Sequence, residues 1–152
     1  MLTQLLIAII AFSGLLIGYL LTFLAKEEIK PGQKYFVWLE RLFRLAIIGV
    51  LLWIIATPKA MLLPFILGII VGLFLKFRYL YLGLGVAAAS SLPVNLFVVV
   101  AGLVFIYGFP YGSISSKLKL PFHALFYFIP VLIMLFFSPN NSSTVLAFVA
   151  GA

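Results

Sequence analysis

Residues 34–45 read KYFVWLERLFRL, and the apolar run AIIGVLLWIIAT follows at once. Glu40, Arg41 and Arg44 thus stand at the mouth of a stretch as oily as lipid. On a helix turning about 100° per residue, Gln33, Lys34, Glu40, Arg41 and Arg44 fall within an arc of about 120°. Glu40 precedes Arg44 by four residues, the favourable order for an ion pair along a helix. Arg41 is left over, so the stripe keeps a positive excess. Charges inside an apolar helix are costly and mark sites for ions or polar ligands, and guanidinium forks match carboxylate and phosphate. One reading is therefore a site for an anion. The other is an anchor, in which Arg41 and Arg44 snorkel to headgroups and Glu40 neutralises one of them.

His123 is the single histidine of the chain, and Lys117 and Lys119 precede it. Its pKa near neutrality suits a proton carrier facing the same anion; an imidazole resting at an interface is the plainer alternative. Asn95 either caps a helix or lines a path for substrate. Asn140 and Asn141 both begin glycosylation acceptor triplets, a short pattern that chance often produces.

The elements that position these residues follow from composition. Of 152 residues 66% are hydrophobic and 9% charged, against about 45–50% and about 25% in a soluble domain. The expected fold is therefore all-α: a polytopic membrane protein, one domain over 1–152, with about six short helices. The segments are 3–25, 33–57, 60–75, 78–91, 93–109 and 120–137, with a short apolar tail at 144–152 that is too brief to cross and is read either as lying in the outer interface or as a segment cut short. Residues 1–25 are read as a retained first helix, since they lack a basic start and a small-residue cleavage site.

The region 79–108 admits two descriptions. As one helix it would be about 45 Å long, more than a hydrocarbon core of about 30 Å. Ser90-Ser91-Leu92-Pro93 offers a cap and a helix-starting proline, so a split into two helices is preferred. A broken or re-entrant segment, giving five crossings, is the alternative. Proline placement supports the frame: Pro31, Pro93 and Pro121 fall at expected starts, Pro58, Pro110 and Pro139 just past expected ends, and Pro130 should kink the last helix.

Charge fixes the orientation. With six crossings, nine of the ten Lys and Arg fall on one side and only Lys59 on the other. The positive-inside rule then puts the chain in the cell membrane with both termini outside. Tyr19, Tyr35, Tyr79, Tyr81, Tyr107, Tyr111 and Trp38 would form the inner aromatic belt, and Trp53 would mark the outer end of the second helix. Helix packing is expected on small residues: Gly14 with Gly18 and Thr22, Gly68 with Gly72, and Gly83 with Ala87 and Ser91.

Much chemistry is excluded. The net charge of +7 with no Asp and no Cys is explained by topology, so no nucleic-acid partner is inferred. A lone His without Cys or Asp does not make a metal site. There is no phosphate-binding glycine loop and no nucleophile motif, so no cofactor and no catalytic set are assigned. Three functions stay open. The first is a permease or substrate-capturing subunit for an anionic or phosphate-bearing ligand taken from the cytoplasmic side, through Glu40, Arg41, Arg44, His123, Lys117 and Lys119. The second is a structural subunit of a membrane complex or homo-oligomer. The third is an enzyme acting on a lipid headgroup. The partners common to all three are the bilayer and its anionic inner headgroups.

Overall fold

The structure is a computed structural model, and it describes residues 2–55, 62–74, 78–114, 120–137 and 142–152. It is all-helical over these residues. Seven helices follow one another: α1 (Leu2–Leu24), α2 (Lys26–Ile55), α3 (Leu62–Phe74), α4 (Arg78–Ala89), α5 (Val94–Ile114), α6 (Leu120–Phe137) and α7 (Ser142–Gly151). Two of them, α1 and α5, are long and apolar enough to cross a membrane, while α3 and most of α6 are shorter apolar helices.

Several boundaries differ from the sequence expectation. α2 starts at Lys26 and takes Pro31 into its second turn, where only one intrahelical bond is lost. α5 runs four residues past Pro110. Its last turn is held from outside: Ser113 Oγ donates to the Gly18 carbonyl at 3.2 Å, and Thr22 Oγ1 donates to the Gly112 carbonyl at 3.4 Å. The region 79–108 is divided, with α4 ending at Ala89 and α5 beginning at Val94. Ser90 and Ser91 close the end of α4 by donating to the Ala87 and Ala88 carbonyls.

The largest departure is the tail. Residues 142–151 form α7 instead of an interfacial strip, and Leu146, Ala147 and Ala150 are fully buried. Small residues explain the burial. α7 lies across α3, where the carbonyl of Phe148 faces Gly68 and the backbone of Ala152 faces Gly72, and Gly151 in turn faces the backbone of Phe65 and Ile69. It also packs on α2 and α4.

Glycine governs the rest of the packing as well. α1 and α5 run in the same direction and form the closest helix pair. Gly14 meets the Phe105 backbone and Gly18 the Phe109 backbone, while Gly108 and Gly112 on α5 face Leu15 and Tyr19 in return. Such contact is open only to helices without side chains in the way. At Gly83, α4 lies against the Tyr127 backbone and Pro130 of α6, and Ala87 is buried on the same helix.

These pairings bring the middle of α2 beside the starts of α4 and α6 and the C-terminal half of α5, where Glu40, Arg78, Tyr107, Tyr111 and His123 lie. The opposite faces are oily: Leu6, Ile10, Leu45, Trp53, Leu63, Ile66, Val98 and Ile133 are exposed.

Candidate functional site

A carboxylate near the start of a buried helix face needs donors, and two other helices supply them. Glu40 is only 7% exposed. Arg78, at the first position of α4, donates through Nη1 to Glu40 Oε1 at 2.7 Å. Tyr107 of α5 donates its hydroxyl to the same oxygen at 3.0 Å. The Arg78 guanidinium also sits over the Tyr111 ring, 5.6 Å from its centre, and Tyr107 stacks on Tyr111. Cation–π contact and a charge-assisted bond thus hold one guanidinium between α2 and α5.

The expected pair of Glu40 with Arg44 is not formed. Across the described residues the ion pair of Glu40 is with Arg78. The carboxylate points into the bundle, where α4 and α5 bring donors to it, so the neighbour along its own helix is not needed. Arg44 instead lines a cavity of about 490 Å³ together with Arg78 and Tyr107. The rest of the lining is Ile47 and Ile48 of α2, Gly72 and Leu73 of α3, Tyr81 and Leu82 of α4, Val149 and Gly151 of α7, and the following Ala152. Arg41 is exposed and does not line this cavity.

His123 is drawn elsewhere. Its ring stands edge-on to Tyr79, with centres 5.3 Å apart, and to Tyr111 at 5.9 Å. Tyr79 and Tyr107 are therefore core residues, buried to 1% and 2% exposure, not members of an aromatic belt. Tyr35, Trp38 and Trp53 are exposed. The hydroxyl of Tyr79 is buried without a hydrogen-bond partner among the described residues, whereas Tyr127 donates to the Ala8 carbonyl at 3.0 Å. Lys117 and Lys119 lie outside the described residues.

Arg78 is the site residue that the sequence reading passed over. The signal was present: it stands between two apolar runs, as Arg44 does, and a buried acid calls for an arginine. Gly108 and Gly112 were likewise missed, although they repeat the four-residue spacing of Gly14 and Gly18.

Among the described residues no cluster of acids and histidines could hold a metal ion. The arrangement does offer two guanidinium groups on one cavity, Arg44 and Arg78, the second of them paired with the buried Glu40. Arg44 has no acidic partner among the described residues, so its donors are free for a ligand. The chain matches no protein family model, no curated protein and no solved structure.

Proposed function

We propose that the chain is a multi-pass protein of the cell membrane that captures an anion from the cytoplasmic side, as a small permease or the substrate-binding subunit of one. The observation that carries this reading is the cavity lined by both Arg44 and Arg78 beside a buried Glu40. A structural ion pair accounts for Arg78, whereas Arg44 has no acidic partner among the described residues and lines the cavity beside it. The oily outer faces support insertion, and the alternation of helix directions supports crossings that carry the starts of α2, α4 and α6 to the Lys- and Arg-rich side. In this reading α1 to α6 cross and α7 is a half-length helix packed among them. Helices of this kind occur beside binding sites in transport proteins.

The chain has no cysteine, so single cysteines report position without background. Trp53→Cys should react with an impermeant thiol reagent from one side of sealed vesicles and Tyr35→Cys from the other. Ile48→Cys, in the cavity wall, should react from the Tyr35 side, and faster with an anionic reagent than with a cationic one of equal size. Equal rates at Ile48→Cys would remove the anion site.

A second reading, a subunit that stabilises a larger membrane complex, is favoured by α3. That helix rests on α7 and exposes Leu62, Leu63, Ile66, Leu67, Leu73 and Phe74, leaving a broad apolar face for a neighbour.

A further inference from the structure

The walls of the cavity say more about its ligand than its charge does. Besides the two guanidinium groups, the large apolar side chains of Ile47, Ile48, Leu73, Leu82 and Val149 make up nearly half of the lining. A free inorganic anion has no use for that apolar surface. The cavity is bordered by α2, α3, α4, α5 and α7, and among the described residues α3 packs on α7 and not closely on α2. Leu73 lines the cavity while remaining 72% exposed, so the rim on this side meets the oily exterior of the bundle. The volume of about 490 Å³ falls in the range of roughly 300–1,000 Å³ usual for small-molecule sites.

Resting on the anion reading above, we infer that the ligand is an amphiphile: a lipid with an anionic phosphodiester headgroup. Its phosphate lies between Arg44 and Arg78, and its apolar chain leaves between α2 and α3 into the bilayer. The two guanidinium groups set the headgroup, because their forked N–H donors match the oxygens of a phosphate. The start of α4 assists. Arg78 and Tyr81 in its first turn both line the cavity, so the positive end of the helix dipole adds to the two side chains.

The test uses the full chain in neutral detergent, native mass spectrometry, and three probes: phosphatidylglycerol, phosphatidylcholine and inorganic phosphate. Wild type should keep one phosphatidylglycerol per chain in preference to phosphatidylcholine. Arg44→Ala, which leaves the Glu40–Arg78–Tyr107 contacts in place, should weaken that binding by about tenfold or more. Ile48→Trp narrows the apolar wall, and Leu73→Trp blocks its exposed rim, where misfolding is not at issue. Both should weaken the lipid by a similar factor while inorganic phosphate, where it binds, is unaffected. Arg44-dependent binding of phosphatidylglycerol that survives both tryptophan variants would overturn the lipid inference and leave the anion reading standing. So would Arg44-dependent binding of inorganic phosphate alone. Failure of both anions to bind at Arg44 would overturn both.

Discussion

Arg78 and Glu40 are thirty-eight positions apart in the chain and meet at 2.7 Å. The bond joins the first residue of α4 to the middle of α2, and Tyr107 fixes it from α5. The two partners are unequal: the Glu40 side chain is 9% exposed and that of Arg78 is 42% exposed.

Removing the arginine strands the buried carboxylate. Arg78→Ala should cost about 2–3 kcal/mol, less than the roughly 3–5 kcal/mol of a fully buried pair because Arg78 keeps partial access to solvent. Replacing both groups, Arg78→Met with Glu40→Met, should recover most of the loss, since no charge is left without a partner. Reversible chemical unfolding in detergent micelles measures both. Equal stability of Arg78→Ala and wild type would show that the pair carries no fold energy.

Three buried tyrosines separate hydrogen bonding from packing. Tyr107→Phe and Tyr127→Phe each remove a made bond, to Glu40 and to the Ala8 carbonyl. Each should cost about 1–2 kcal/mol. Tyr79→Phe removes a buried hydroxyl that has no partner among the described residues, so it should be neutral or stabilising. The same unfolding series decides, and a large loss in Tyr79→Phe alone would reverse the assignment.

The glycines make a sharper set. A methyl group at Gly14 or Gly108 would meet backbone of the facing helix, whereas Gly49 and Gly102 have open space around them. Gly14→Ala and Gly108→Ala should part α1 from α5 and lower stability by several kcal/mol, about 2–4. Gly49→Ala and Gly102→Ala should raise it by up to about 1 kcal/mol through helix propensity. Thermal melts of the four variants check the order.

These contrasts show what could be read before the fold was known. The all-helical class follows from the oily composition, and the break after Ala89 from Ser90, Ser91 and Pro93. The small-residue spacing marked Gly14 and Gly18, but which helix they face is a tertiary matter. Gly108 and Gly112 were hidden by Pro110, which read as a helix end. α7 was hidden by its length, because ten residues do not cross a bilayer and nothing local shows that α3 offers glycines to receive them. Glu40 was visible as a buried acid. Its partner was not, because helical spacing proposes Arg44 while the bundle delivers Arg78 from another helix. Arg41 and Arg44 look alike in sequence and differ only in which neighbours their faces meet.

That last difference gives the most direct measurement. Binding of phosphatidylglycerol to the detergent-solubilised chain should be weakened about tenfold or more by Arg44→Ala and left within about twofold by Arg41→Ala. Both variants remove one exposed positive charge from the same helix, so a surface attraction would weaken equally in the two. Equal loss in both, or none in either, would contradict the cavity at Arg44 and Arg78 as the site where this protein takes its anion.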